Sequence, residues 1–246
     1  MKMFGFKIVR LNSKSDNPSL FLNADLIREA KKENMYIGDY VEKKWNEVGT
    51  SEKIVKKIIK PYLKKDSVII DVGSGTGRYT KQMLTFIPQG KIHIFELDSY
   101  WKKFLKEYFS KENNIKIHPA NGYSYDTLSN DSIDVYCAIN VFTYTNAMTT
   151  FRNLIEAARV VKPKGIIIFD FFNTDEKKGI FNYIETNITP QPGPWSIHSL
   201  SFLCSFMNKL GFKLIAKDKG LFNKYHSTYI ILKKQLKPQT FLTTKT

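Results

Sequence analysis

The stretch Ser67–Thr80, SVIIDVGSGTGRYT, decides the fold of this 246-residue chain. Its β-branched run is typical of a buried parallel strand, and the run ends at Asp71. Three glycines then alternate with other residues ahead of a predicted helix, at Gly73, Gly75 and Gly77. Open α/β sheets bind ligands at such turns, because glycine lets the backbone approach a ligand and the helix offers free N–H groups. The sequence therefore predicts a ligand site at this turn.

The spacing of this loop distinguishes between kinds of nucleotide site. A Walker loop needs the spacing G-x-x-x-x-G-K-[ST] with its Lys, which is absent. A dinucleotide fingerprint, G-x-G-x-x-G, would need a third glycine where Arg78 stands. The loop has the pattern D-x-G-x-G-x-G instead. An acid two residues before the first glycine disfavours a pyrophosphate and suits a ligand with a positively charged group. A simple strand-to-helix turn explains one glycine but not three in alternation.

This segment resembles motif I of the class I S-adenosylmethionine-dependent methyltransferases, and the resemblance continues along the chain. Lys91–Ser99, KIHIFELDS, is a predicted second strand that ends in acids. In that family an acid at this place binds both ribose hydroxyls of the cofactor, because a carboxylate can accept two O–H bonds. Glu96 is the preferred candidate, since the apolar alternation ends there. Asp98 is the alternative, or it caps the following helix.

Three later blocks extend the resemblance. Ala120–Asp134 matches the loop that contacts the adenine and contains Asn121, where many relatives have Asp, followed by Gly122. Asp134–Phe142 is predicted as strand 4, and Val160–Phe172 as a helix end, a turn and strand 5. The resemblance implies that S-adenosyl-L-methionine is the cofactor. The residues that it implies for binding this cofactor are Asp71, Gly73, Ser74, Gly75, Gly77, Glu96, Asn121, Gly122 and Asn140.

The predicted fold is α/β. By the rule of right-handed crossovers, strands 1 to 5 form a parallel sheet with helices on both faces. The resemblance implies a Rossmann-like methyltransferase sheet of seven strands in the order 3-2-1-4-5-7-6, with strand 7 antiparallel. The predicted domains are an N-terminal helical extension or lid at 1–62, the methyltransferase core at 63–235 and a flexible tail at 236–246.

Two residues are candidates for the catalytic step. His198 is predicted to open the helix after a proline-rich connection, where relatives place substrate residues, and a His is a suitable base near neutral pH. A solvent-facing position at the helix start is the alternative. Tyr144 follows Asn140 by about one helical turn and could equally be an ordinary aromatic residue. Asn140 lacks a following Pro-Pro-Tyr or Pro-Pro-Phe, which argues against methylation of adenine or glutamine amino groups. No His and carboxylates stand at metal-ligand spacing, so no metal is predicted.

Composition limits the class of protein. The net charge is +15, but only five of the 38 basic residues are Arg, the residue that nucleic-acid surfaces favour. The lysines are scattered in pairs, as AT-rich codon usage would also produce. A nucleic-acid partner is therefore possible but not favoured. No apolar run reaches the roughly 18–20 residues of a membrane span, no secretory signal is predicted, and the two cysteines lack metal spacing. These features predict a cytoplasmic protein.

The whole pattern is similar to a bacterial subgroup of small-molecule methyltransferases. The expected function is methyl transfer from S-adenosylmethionine to a small-molecule acceptor, with a hydroxyl of a sugar or glycolipid precursor as the preferred acceptor. The alternatives are an RNA or protein methyltransferase, which would use the basic surface, and a non-catalytic cofactor-binding partner subunit. The sequence leaves the acceptor atom and the oligomeric state open.

Overall fold

A mixed sheet organises the chain. The computed structural model describes residues 23–176, 196–218 and 227–236. The strands in chain order are β1 (Val68–Val72), β2 (Lys91–Phe95), β3 (Ile115–His118), β4 (Ile133–Ala138), β5 (Val161–Asn173), β6 (Ile197–His198), β7 (Phe212–Asp218) and β8 (Thr228–Lys234). The helices are α1 (Asn23–Lys32), α2 (Ile37–Trp45), α3 (Thr50–Ile54), α4 (Arg78–Leu84), α5 (Ser99–Tyr108), α6 (Ala147–Val160) and α7 (Leu200–Lys209). A π-helical turn, Val55–Ile59, and a 3-10 turn, Lys60–Tyr62, follow α3.

The strand order is β3-β2-β1-β4-β5-β8-β7, with the short β6 paired to the end of β5. The strands β1 to β5 are parallel to one another, whereas β8 is antiparallel to both β5 and β7. This confirms the predicted seven-strand order and its antiparallel strand. The eighth strand, β6, was not predicted, because two residues are too few to show a hydrophobic period.

Each face of the sheet has its own hydrophobic core. Successive side chains of a strand point to opposite faces, and neighbouring residues of β1 accordingly belong to different cores. Ile70 packs in the core that includes residues of α6 and α7, whereas Ile69 packs in the core that includes residues of α4 and α5. Helices therefore cover both faces, and the predicted cofactor residues Asp71, Glu96 and Asn140 lie at or just after the carboxyl ends of parallel strands.

The N-terminal helices reach the glycine-rich loop. They pack on α5 through a smaller apolar cluster that includes Val41 and Trp101. Tyr36, directly before α2, donates a hydrogen bond from its hydroxyl to the carbonyl of Thr76 in the loop (2.8 Å). Its ring also stacks on Tyr108 of α5, with centroids 5.0 Å apart. The N-terminal extension is thus in direct contact with the loop that the sequence assigns to the cofactor.

The predicted boundaries of the extension, the core and the tail stay predictions. Residues 1–22 and 237–246 lie outside the described part of the chain, as does 177–195, which holds most of the proline-rich connection. The predicted position of His198 at the start of a helix is wrong. His198 ends β6, and α7 begins two residues later because the hydroxyl of Ser199 caps it, accepting the N–H of Phe202 (3.2 Å).

A histidine pair connects β2 to β3. Nδ1 of His93 lies 2.7 Å from Nε2 of His118, and Nδ1 of His118 lies 2.7 Å from the hydroxyl of Thr127. Burial lowers the pKa of each imidazole to about 4, and Lys91 and Lys116 add to this effect. The two rings therefore share one hydrogen bond as neutral groups.

We expect this pair to make the free energy of unfolding depend on pH. In the unfolded chain each imidazole has a pKa of about 6.5. Between pH 6.5 and 4 the unfolded state binds more protons, so stability is full above pH 6.5 and falls as the pH drops towards 4. The loss should be about 1–2 kcal/mol for the pair, since solvent screens the half-buried His93 in part. Urea unfolding at pH 7 and pH 5 measures it, and His93→Gln should remove about half of the difference. An unchanged pH dependence in that variant would contradict the assignment.

Candidate active site

The glycine-rich loop connects β1 to α4 at the point where the order of the sheet reverses between β2 and β4. Gly75 has a φ of 52°, and a Cβ added to it would meet nothing within 4 Å. Gly77 has a φ of 74°, but a Cβ there would lie 2.9 Å from a ring carbon of Phe109. A Cβ on Gly73 would lie 2.8 Å from Cγ2 of Val141. Gly73 and Gly77 therefore allow close packing, whereas Gly75 leaves open space beside the backbone, as a bound ligand requires.

Glu96 lies directly after β2 and faces this loop. Its carboxylate is buried, and Oε2 accepts the N–H of Gly75 at 2.8 Å while Oε1 accepts the N–H of Asp98 at 2.9 Å. Burial raises the pKa of Glu96, and the two N–H bonds act in the opposite direction. Each carboxylate oxygen has a second lone pair, so Glu96 keeps acceptor capacity for hydroxyl groups. It can hold a ribose and the loop at the same time.

Asp98 has a different task. Its Oδ1 accepts the N–H groups of Tyr100 and Trp101, both at 2.9 Å, and so caps the N-terminus of α5. This is the capping role that the sequence left as one alternative. Capping occupies the carboxylate of Asp98, whereas Glu96 faces the glycine-rich loop.

Asp71 and Ser74 form hydrogen bonds that stabilise the loop and the start of α4. Asp71 is buried at the end of β1, and its carboxylate accepts the hydroxyl of Thr80 on α4. The hydroxyl of Ser74 donates to the backbone carbonyl of Asp71 (3.4 Å). Burial raises the pKa of Asp71 to about 6, against the hydrogen bonds from Thr80 and Ser74. These contacts fix the start of α4 beneath the loop, and direct contact of Asp71 and Ser74 with the cofactor stays a prediction.

The segment predicted to contact adenine forms a compact turn. Oδ1 of Asn121 accepts the N–H groups of Tyr123 (3.1 Å) and Ser124 (2.9 Å), so its oxygen supports the turn. A Cβ on Gly122 would lie 3.4 Å from Leu97, whose side chain is 55% exposed. Sequence reasoning missed Leu97, although an apolar residue between two strand-end acids is a visible signal. Its exposed surface beside Gly122 suits the flat face of a purine.

Asn140 follows β4 with a left-handed backbone, φ 58°. Its N–H donates to Oδ1 of Asp170 on β5 (2.6 Å). In the orientation that gives each amide atom a complementary partner, Oδ1 of Asn140 accepts from the hydroxyl of Tyr79 (3.0 Å) and the guanidinium of Arg78 (3.3 Å). Nδ2 then donates to Oδ2 of Asp170 (3.2 Å). Sequence reasoning missed Arg78 and Tyr79 as members of the site, because contacts across sixty residues leave no local pattern.

The two catalytic candidates lie in different surroundings. His198 is 6% exposed, and its Nε2 lies 3.1 Å from the hydroxyl of Ser196 and 3.5 Å from that of Thr150. Burial lowers its pKa. Tyr144 is 48% exposed and interacts electrostatically with Arg78 behind the loop. Tyr144 is therefore accessible to an acceptor, whereas His198 is enclosed among hydroxyl groups.

Replacing Gly75 should change ligand binding without preventing the protein from folding. Gly75→Val should fold, because its Cβ enters open space and the left-handed backbone costs about 1–2 kcal/mol. The branched side chain should occupy the ligand's place and abolish binding of S-adenosylhomocysteine, measured by calorimetry. Gly77→Val is the matched control, since its side chain collides with Phe109 and should chiefly lower the melting temperature. Normal affinity in Gly75→Val would show that the loop is only a turn.

The two acids after β2 should respond differently to removal. Glu96→Ala should weaken binding of S-adenosylhomocysteine by about 1.5–3 kcal/mol, the scale of hydrogen bonds to a charged group. Asp98→Ala should cost about 1 kcal/mol of folding stability through the lost helix cap, with a smaller effect on affinity. Calorimetry and urea unfolding on both variants test this. A larger loss of affinity in Asp98→Ala would assign the ribose to Asp98.

Comparison with known proteins agrees with this geometry. Residues 70–169 match the family model described as a methyltransferase domain. The chain resembles a chain of the complex between the Trm112 methyltransferase activator and a methyltransferase from Haloferax volcanii, with a TM-score of 0.64, 10% identity, and coverage of 90% of this chain and 99% of that one. It also resembles a SAM-dependent methyltransferase from Methanosarcina mazei, with a TM-score of 0.59, 15% identity, and coverage of 74% and 98%. For one from Aquifex aeolicus the TM-score is 0.55 at 15% identity, with coverage of 74% and 88%. No curated protein matches the chain in sequence.

The matched segment 70–169 runs from β1 to β5 and contains the glycine-rich loop, Glu96 and Asn140. The open space at Gly75 and the spare acceptor capacity of Glu96 fit a nucleoside with a free ribose. The strand order and the structural likenesses give the same fold. Residues 70–169 are matched as a methyltransferase domain, and the chain shares the fold of S-adenosylmethionine-dependent methyltransferases, which indicates S-adenosylmethionine as the cofactor.

Proposed function

We propose that this methyltransferase acts on a hydroxyl group of a small molecule, and that the acceptor is a sugar or a glycolipid precursor. The observation that carries the proposal is the charge of the N-terminal helices beside the glycine-rich loop. Residues 25–62 contain nine basic and seven acidic side chains, although the whole chain has a net charge of +15. The excess positive charge therefore lies mostly away from this part of the site, where an RNA acceptor would need it.

Ion pairs in the same helices support this reading. Lys43 pairs with Glu33, and Lys44 pairs with Glu29 at 2.9 Å. The carboxylate of Glu29 also accepts the hydroxyl of Tyr40 (2.9 Å). Such exposed pairs add little stability, but they balance part of the lysine charge of the N-terminal helices. A neutral polyhydroxy acceptor fits this surface better than a polyanion.

The protein's contribution to the reaction is binding and alignment. Bound S-adenosylmethionine supplies the electrophilic methyl group. In this proposal Glu96 and the loop hold the cofactor in place, and the exposed Tyr144 interacts electrostatically with Arg78, which bonds to Asn140. A hydroxyl nucleophile must lose a proton during transfer. The phenol of Tyr144 is the accessible group that can exchange a hydrogen bond with the acceptor hydroxyl.

We assign His198 a positioning role in this proposal. Its contacts with Thr150 on α6 and Ser196 hold β6 against the start of that helix. The rings of Phe151 and Phe171 lie 6.2 Å and 6.3 Å from it, centroid to centroid, and enclose it further. A neutral, buried imidazole among hydroxyl groups is better placed to hold neighbouring segments in position than to exchange protons with solvent.

Replacing Tyr144 and His198 in separate variants tests these roles. Tyr144→Phe should lower kcat by about 10²-fold with unchanged cofactor affinity, because the phenol oxygen is the only atom removed. His198→Ala should lower the melting temperature and change kcat less. Steady-state kinetics and thermal unfolding measure both effects. A stable His198→Ala protein whose kcat falls by about 10²–10⁴-fold would instead make His198 the base.

The acceptor class itself can be found with labelled cofactor. The protein is incubated with a bacterial extract and methyl-labelled S-adenosylmethionine, and the extract is separated into lipid, saccharide, nucleic-acid and protein fractions. We expect label in the saccharide or lipid fraction and none with Gly75→Val. Label in the nucleic-acid fraction that falls steeply with added salt would refute the proposal. Binding of cofactor with no labelled fraction would indicate a partner subunit without catalysis.

We also propose that the reaction takes place in the cytoplasm. Cys137 is a free, buried thiol and Cys204 is a free, partly buried one, which fits a reducing compartment. Within residues 23–176, 196–218 and 227–236, every helix is too short or too polar to cross a bilayer.

A further inference from the structure

A buried carboxylate lies behind the glycine-rich loop and takes no part in the chemistry proposed above. Asp170 of β5 is completely buried, and its Oδ2 accepts the hydroxyl of Ser227 at 2.7 Å. Within the described residues it forms no ion pair within 4 Å. Burial of a charge is costly. Asp170 is stabilised by the hydrogen bonds that it accepts, two of them from Asn140, and by the positive charge of Arg78.

The carboxylate decides how the amide of Asn140 is oriented. An ionised carboxylate can only accept hydrogen bonds. The amide must therefore turn its NH₂ group towards Oδ2 of Asp170 (3.2 Å). Its oxygen is then directed at the hydroxyl of Tyr79 (3.0 Å) and the guanidinium of Arg78 (3.3 Å), both of which can donate. With the amide reversed, the NH₂ group would face the guanidinium, donor against donor.

The same amide connects the two segments that hold the loop. Val141, the next residue, packs against the first glycine, where an added Cβ on Gly73 would lie 2.8 Å from Cγ2 of Val141. Arg78 and Tyr79 are the first residues of α4, immediately after the last glycine. Asn140 therefore bonds to Arg78 and Tyr79 after the loop, while Val141 packs on Gly73 at the start of the loop.

We propose that Asp170 is a positioning residue: it sets the direction of the Asn140 amide, and Asn140 then holds the start of α4 against the end of β4. In this way a completely buried group keeps the glycine-rich loop in its binding form. The inference rests on the proposed function only in that the loop binds S-adenosylmethionine.

Exchanging the two side chains provides the test. The dissociation constant of S-adenosylhomocysteine is measured by calorimetry for wild type, Asp170→Asn, Asn140→Asp and the double variant. Asp170→Asn sets an NH₂ group against the NH₂ group of Asn140, and Asn140→Asp sets two carboxylates together, so each should weaken binding about 10-fold or more. The double variant restores the order of donors and acceptors. The carboxylate introduced at position 140 accepts from Arg78 and Tyr79, while the amide introduced at position 170 donates to that carboxylate. The dissociation constant of the double variant should return to within about 3-fold of wild type.

Rescue by the exchange is a result that loss of packing alone does not produce. Asp134→Asn is the matched control, since this acid pairs with Lys162 (2.8 Å) at the start of β4 and should leave affinity unchanged. Wild-type affinity in Asp170→Asn, or a double variant as weak as the two single changes combined, overturns the inference alone. A wild-type protein that binds no S-adenosylhomocysteine overturns the proposed function as well, and this separates the two failures.

Discussion

The hydrogen bond from the N–H of Gly75 to the carboxylate of Glu96 is the contact on which the site depends. This bond joins the loop after β1 to the end of β2. The same carboxylate therefore accepts hydrogen bonds from both the connection after β1 and the connection after β2. Gly75 can make this bond because its left-handed backbone turns the N–H towards β2. The second oxygen of Glu96 orders Asp98 in the same way, and Asp98 then caps α5. One carboxylate thus holds the loop in place and orders the residue that caps the helix after β2.

Charges are distributed unequally between the two edges of the sheet. At the carboxyl edge, Asp71 and Asp170 are buried, accept hydrogen bonds from hydroxyl or N–H groups, and have their pKa values raised to about 6. At the opposite edge, Asp134 pairs with Lys162, and Asp131 pairs with Lys234. The carboxyl edge also has an ion pair, between Lys57 and Asp218 at the end of the outermost strand β7. Asp71 and Asp170 at the ends of the central strands act as hydrogen-bond acceptors instead, so their contacts depend on the direction of each donor.

The sequence was sufficient to predict features that depend on residues close together in the chain. Alternating glycines after a β-branched run located the loop, and the end of an apolar alternation located Glu96. The crossover rule predicted the parallel arrangement of strands 1 to 5, and the resemblance to the family supplied the strand order. The sequence was insufficient where a structure depends on distant partners. The pairing of His198 with Thr150 and the cluster around Asn140 join residues of different strands and helices, and no periodicity records them. His198 was misplaced because a helical period extended back over it, while the capping serine starts the helix later.

The contact between Tyr36 and Thr76 joins the N-terminal helices to the glycine-rich loop. Tyr36 is fixed to the loop by its hydroxyl, to α5 by stacking on Tyr108, and to Lys81 of α4, whose ammonium lies 4.5 Å from the ring centroid. A change in the position of the loop must therefore move Tyr36 or break these contacts. If one ligand binds at the loop and a second at the N-terminal helices, each changes the affinity for the other by the same factor. This one phenol thus carries a coupling that favours neither order of binding.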